Sequence, residues 1–149
     1  MDKRSLDVKT SRILFRENKD IVKVKQCYEN VYRIMSRFPR HFSDGTYRVA
    51  YGYIDSGVPQ LLIRHAFLVD KNGRIVDPTI VASHEKRKEM GLDTKESWPR
   101  YYIMHLFPDI YSYTEALLRD ERYALIDFME ADDTAARQWM AENNCYPIG

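Results

Sequence analysis

The stretch Leu61-Leu62-Ile63-Arg64-His65-Ala66-Phe67-Leu68-Val69-Asp70-Lys71-Asn72-Gly73-Arg74-Ile75-Val76-Asp77-Pro78 decides the fold. From Leu61 to Val69 it predicts a strand, with Leu61, Ile63, His65, Phe67 and Val69 on one face. Asp70-Lys71-Asn72-Gly73 reads as a turn and Arg74-Ile75-Val76-Asp77 as the returning strand. Pro78 closes that strand because it has no ladder donor. A three-residue loop, Lys71-Asn72-Gly73, suits a type I turn followed by a left-handed glycine and a G1 bulge. That loop pairs Asp70 with Arg74, so Phe67 faces Asp77 and Val69 faces Ile75. His65 is then diagonal to Asp77 on the same side, with α-carbons roughly 7–8 Å apart and the side chains in reach. A two-residue Asn72-Gly73 loop would slip the register by one and throw Asp77 to the opposite face. The hydrophobic phase favours the first register, which also puts Ile75 with Phe67 and Val69.

Outward from the hairpin, Thr46 to Ile54 predicts another strand, with Tyr47, Val49, Tyr51 and Tyr53 on one face, followed by a Ser56-Gly57-Val58-Pro59 loop. Upstream, Tyr28, Val31, Tyr32, Ile34 and Met35 recur at helical spacing, which predicts a helix from Cys27 to Ser36 that Phe38-Pro39 ends. The first twenty residues are charged around a short apolar patch, Ile13-Leu14-Phe15. Downstream, Ser83 to Arg100 reads as a polar surface excursion, partly helical, and Tyr101 to Phe107 as a strand. Ser112-Tyr113-Thr114-Glu115 has capping-box spacing before a helix through Arg119. Tyr123 to Met129 reads as a strand, and Asp133 as the cap of a last helix to Asn143. The expectation is an α+β chain in which a nucleophile-bearing helix packs on a small antiparallel sheet. Residues 1–149 form a single domain, with the core motif at 25–80 and a helix/strand extension at 101–145.

The hairpin has a chemical use. A carboxylate bonded to one imidazole nitrogen fixes the tautomer and stabilises the imidazolium, which frees the other nitrogen to take a thiol proton. A thiol in the first turn of a helix gains from the partial positive charge there. Cys27 is therefore the expected nucleophile, His65 the base and then the acid, and Asp77 the orienting group. Singly, each has a plainer reading as a small core residue, a satisfied core histidine and a turn former. Their joint placement points to chemistry.

These residues resemble a known family. His65-Ala66-Phe67-Leu68-Val69 followed by Val76-Asp77-Pro78-Thr79 is similar to the His-Ala-Trp… Asp-Pro-Thr strand pair of bacterial transglutaminase-like proteins. The order Cys, His, Asp matches that superfamily, which includes arylamine N-acetyltransferases and, with Asn third, papain-like proteases. Cys27-Tyr28-Glu29-Asn30 is similar to the helix start of small uncharacterised phage and bacterial members. The resemblance covers about residues 25 to 80 and implies a papain/transglutaminase-like core. Phe67 stands where Trp is usual, and Ile21 where papain-like proteases place an oxyanion-hole Gln. Gln26, beside Cys27, is the remaining side-chain candidate for that role, with the Cys27 backbone N–H as the other donor.

Composition bounds the rest. With 149 residues, 44% of them hydrophobic and 30% charged, the chain has enough apolar surface for one core. A net charge of +1 argues against nucleic acid as a partner. The charge is uneven: residues 1–40 carry eleven Lys/Arg against five Asp/Glu, and residues 109–142 three Arg against nine Asp/Glu. This reads as oppositely charged solvated faces or ends docked on each other, the alternative being a basic arm for a phosphate-bearing partner. Two cysteines, Cys27 and Cys145, make no disulfide framework, and Cys145 reads as a frayed-end thiol. The N-terminus has no apolar h-region and no stretch is long enough to span a bilayer, so a cytoplasmic protein is expected. His41, His65, His84 and His105 lack metal-ligand spacing and there is no Gly-rich phosphate loop, so neither metal nor cofactor is expected. Tyr51, Tyr53, Phe67 and Trp98 are candidates for a substrate cleft. The expected function is hydrolysis or acyl transfer at an amide or thioester through a Cys27 acyl-enzyme, on a peptide, protein or small acyl substrate. The second expectation is a catalytically inactive binding or inhibitor protein on the same scaffold, phage-encoded and host-directed.

Overall fold

A computed structural model describes residues 1–92, 95–120, 129–130 and 133–149. Among these, strands from both ends of the chain meet in one sheet, in the order β1(Asp2–Arg4), β5(Tyr101–Leu106), β2(Tyr47–Asp55), β3(Leu61–Asp70), β4(Ile75–Val76). All these neighbours are antiparallel, and β6(Tyr146–Ile148) adds to β3 in parallel. The helices are α1(Val8–Glu17), α2(Cys27–Arg37), α3(Pro39–Ser43), α4(Pro78–Glu89), α5(Ile110–Asp120) and α6(Thr134–Glu142). The architecture is α+β. No helix among the described residues is long and apolar enough to cross a membrane.

The predicted hairpin forms in the predicted register: Val69 faces Ile75 and Leu68 faces Val76. Gly73 has φ +77°, and the Asp70 N–H donates to the Arg74 carbonyl at 2.9 Å, as a left-handed glycine before the returning strand requires. β4 covers β3 at Leu68 and Val69, while β6 covers the same edge at Leu61 to Ile63. Among the described residues, 64–67, which include His65, thus have a strand neighbour on the β2 side alone. Alternation along β2 and β3 builds two cores. Tyr51, Tyr53, Ala66 and Leu68 pack with Val31 and Ile34 of α2, while Ala50, Ile54, Phe67 and Val69 pack with Tyr101 and Ile103.

Several elements differ from the sequence expectation, each for a local reason. The charged N-terminus holds α1, because Asp7 caps it by accepting from the Thr10 N–H at 3.0 Å. Pro39 ends α2 and also starts α3, where its missing N–H costs nothing. The cap of α5 is Asp109, which accepts from the Ser112 N–H at 2.7 Å, so the helix begins before Ser112. Asp133 caps α6 as expected, through the Ala136 N–H. Of the strand expected from Tyr123 to Met129, residues 123–128 lie outside the described residues, and Met129 is helical. Cys145 is followed by β6 rather than a frayed end, and both cysteines are free. The basic N-terminal side chains Arg4, Arg12 and Arg37 pair with Asp2, Glu96 and Asp20. Among the described residues no ion pair joins segment 1–40 to segment 109–142.

Gly52 pairs with His65 on one side and sits at a bulge against β5 on the other. A Cβ there would fall 1.9 Å from the Tyr102 carbonyl oxygen. Gly52→Ala therefore has to push β5 away from β2, and about 2–3 kcal/mol of stability is expected to be lost in urea unfolding.

Candidate active site

Three elements deliver the three predicted side chains. Cys27 is the first residue of α2, His65 sits mid-way along β3, and Asp77 is the N-cap of α4. Asp77 is the correction. It was expected in the returning strand, but β4 stops at Val76 because Asp77-Pro78-Thr79 is a helix start: an acidic cap, then proline at the first helical position. The diagonal placement still brings it to His65, with Oδ2 2.6 Å from Nε2.

Every acceptor direction of that carboxylate is used. Oδ1 accepts from the Thr79 and Ile80 N–H groups at 3.1 and 3.3 Å, and Oδ2 accepts from the Tyr101 hydroxyl at 2.6 Å. Its backbone N–H donates to Ser11 Oγ at 2.9 Å, and Ser11 Oγ donates to the Asp7 carbonyl. With Asp77 fully buried, these bonds hold an ionised carboxylate that would otherwise be costly to desolvate. An acceptor-only carboxylate makes Nε2–H the donor, which leaves Nδ1 as the imidazole nitrogen available to the Cys27 sulfur, whose charge acts on the ring. Burial disfavours the charged imidazole, but the Asp77 charge and then the Cys27 sulfur outweigh it, lifting the His65 pKa from 6.5 to about 10. Burial beside the Asp77 charge pushes Tyr101 well above its ordinary range, so its hydroxyl stays a donor. Phe67 stacks on the imidazole with centroids 6.1 Å apart, and Tyr101 meets Phe67 edge-on. The ring is clamped on its face as well as at its nitrogen.

The approach to Cys27 is held just as firmly. Asn30, one turn into α2 and fully buried, accepts from the Lys23 N–H and donates to the Lys23 carbonyl, at 2.9 and 2.7 Å. It also donates to Thr79 Oγ1 at 3.0 Å, which ties the Cys27 helix to the helix that Asp77 caps. Between Lys23 and α2 the chain turns through Lys25, a non-glycine residue at φ +63°, a conformation that costs on the order of 1–3 kcal/mol and needs such support. Gln26 is the N-cap of α2 but makes no capping bond, and its Oε1 is buried without a hydrogen-bond partner among the described residues. The first N–H groups of α2 consequently lack a side-chain cap, whereas Asp residues cap α1, α4 and α6.

A cleft of about 920 Å³ opens beside this constellation. Its lining includes Lys25, two residues before Cys27; Ile63, two before His65 on the same strand face; and Ile80, three after Asp77. The lining stops short of Cys27 and His65 themselves, which are 9% and 6% exposed. Trp98 belongs to the cleft wall, where His84 lies against its ring at 4.8 Å and the Arg12 guanidinium at 5.6 Å. Tyr51 and Tyr53 do not line the cleft. Tyr51 is sealed edge-on against Tyr28, Phe107 and Tyr113, and the Tyr53 hydroxyl donates to Glu130, which also pairs with Arg64. Alternation put both on the α2 side of the sheet, away from His65. Tyr101, Thr79 and Ser11 were missed as partners of Asp77. Aromatic and hydroxyl residues in strands and helices read as packing, and the signal for Thr79 was the helix start. Among the described residues no group of three or more His, Cys, Asp and Glu is placed to hold a metal ion.

Compared with protein-family models, with curated proteins and with solved structures, the chain matches none of them.

Proposed function

We propose that this chain is a cysteine-nucleophile enzyme that cleaves or transfers an acyl group at an amide or thioester, on a papain/transglutaminase-like core. The observation that carries this is the His65–Asp77 hydrogen bond with the Cys27 sulfur near enough to act on the imidazole, and with the carboxylate anchored at its other oxygen by a helix N-terminus. In the first step His65 Nδ1 takes the thiol proton and the sulfur attacks the acyl carbon. As the tetrahedral adduct collapses, the carbon–nitrogen or carbon–sulfur bond breaks and the imidazolium returns its proton to the leaving group. Water, or an acceptor amine, then gives its proton to His65, attacks the thioester and releases Cys27. In this reading the oxyanion is met by the N–H groups at the start of α2, which no side chain caps, a role typically worth ~10²–10³ in rate per donor.

The low exposure of Cys27, with the cleft lining stopping beside it, favours a second reading: an inactive binding protein that keeps the scaffold. Alkylation separates the two. In the enzyme, iodoacetamide alkylates Cys27 in the folded chain, and His65→Gln slows that reaction. A Cys27 that reacts only after unfolding, or as fast in His65→Gln as in the natural chain, would overturn the enzyme reading.

A further inference from the structure

The cleft gathers positive charge from segments distant in sequence. Four cationic side chains line it: Lys25, Lys86, Arg87 and Lys95, all exposed. Asp55 is the one carboxylate in the lining among the described residues, and it is engaged by Arg100, whose Nε lies 3.1 Å from Oδ2. Nearby acidic side chains are turned to other partners. Glu96 pairs with Arg12, and Glu89 meets Lys86 only at 4.0 Å with both exposed. Lys25, Arg87 and Lys95 have no carboxylate partner among the described residues. For a chain whose net charge is +1, this is a local concentration of unneutralised cations. The same lining is apolar at Trp98 and at Ile54, Ile63 and Ile80, which belong to or pack against the second core.

A cleft lined by both exposed cations and apolar side chains, reaching Lys25 two residues before Cys27, selects a partner with both features. We propose that the cleft binds an acidic peptide segment, with an apolar side chain against Ile54, Ile63 and Ile80 and carboxylates facing Lys25, Lys86, Arg87 and Lys95. This rests on the acyl-transfer reading for its consequence, since the segment bound there is the one flanking the bond presented to Cys27. Binding itself does not depend on Cys27 chemistry. Charge complementarity of this kind discriminates between partners and speeds their encounter more than it adds affinity.

The test is equilibrium binding of short fluorescent peptides to the full chain, by anisotropy, at about 50 and 300 mM salt. Three peptides share one apolar residue and are flanked by Glu/Asp, by Ser/Gly or by Lys, and a single-stranded oligonucleotide is run beside them. The acidic peptide is expected to bind about tenfold or more tightly than the basic one, with the difference shrinking at high salt. Lys86→Glu/Arg87→Glu, and separately Lys95→Glu, should each lose that preference, since these side chains are exposed and their reversal leaves the core intact. Lys9→Glu/Lys88→Glu, off the cleft, should keep it. Cys27→Ala should bind as the natural chain does, so a failure of alkylation or turnover and a failure of this proposal are separate results. Equal binding of acidic and basic peptides, tighter binding of the oligonucleotide, no measurable peptide binding, or an equal loss in the off-cleft variant each overturn it.

Discussion

Cys27→Ala is expected to lose turnover by about 10⁴-fold or more while its melting temperature stays within a few degrees of the natural chain. The chemistry goes because no other sulfur can attack: Cys145 lies beyond α6, before β6. Stability survives because one sulfur leaves the start of a helix whose remaining buried residues still fill the core. His65 behaves differently. Replacing it with Ala leaves Asp77 facing a void in a fully buried position, which typically costs about 3–5 kcal/mol for a broken buried pair. Loss of activity in His65→Ala is thus mixed with loss of fold, and His65→Gln is the cleaner variant. A well-folded Cys27→Ala chain that retains its full biological effect would sink the enzyme reading, whatever the site geometry.

Asp77→Ala is expected to be the most destabilising single change at the site. It removes the cap of α4, worth about 0.5–2 kcal/mol, and leaves buried partners at His65 and Tyr101 without their acceptor. Against a total stability of about 5–15 kcal/mol, the combined loss is a large fraction, so partial unfolding at 37 °C should be visible by circular dichroism. Asp77→Asn keeps an acceptor for the cap and should fold, with the charge support for His65 lost. The pH dependence has a definite sign. A folded-state pKa raised from 6.5 to about 10 adds stability that is full below about 6.5 and is lost as the pH climbs toward 10. Melting temperatures taken from pH 6 to 10 should fall along this limb in the natural chain and flatten in Asp77→Asn. A limb unchanged by Asp77→Asn would show that the pair is not the source.

The hairpin and its register were legible because three separate signals agreed: the alternation from Leu61 to Val69, the Gly73 turn, and the phase of Ile75. Cys27 at the start of α2 followed from the helical spacing of Val31, Ile34 and Met35. The role of Asp77 was half legible. Its partner was found through the strand register, but its position is set by Pro78 and Thr79, whose helix-start signal was read as the end of a strand. α1 was hidden because Lys, Arg and Glu dilute its apolar stripe, leaving only Leu14 and Ser11 buried. The cleft could not be read at all. It is assembled from segments distant in sequence, around Lys25, Asp55, Ile63 and Trp98, together with α4, whose start reads in the sequence as the end of a strand.

One carboxylate here belongs to two structures at once. Asp77 closes the first turn of α4 and orients the imidazole, and α4 also supplies Ile80, His84, Lys86 and Arg87 to the cleft. Fraying of that first turn would release the acceptor, loosen Asn30 through Thr79 and move the cleft wall in the same event. The side chain that holds the imidazole is thus also the one that starts the helix lining the cleft, so a change at Asp77 bears on both.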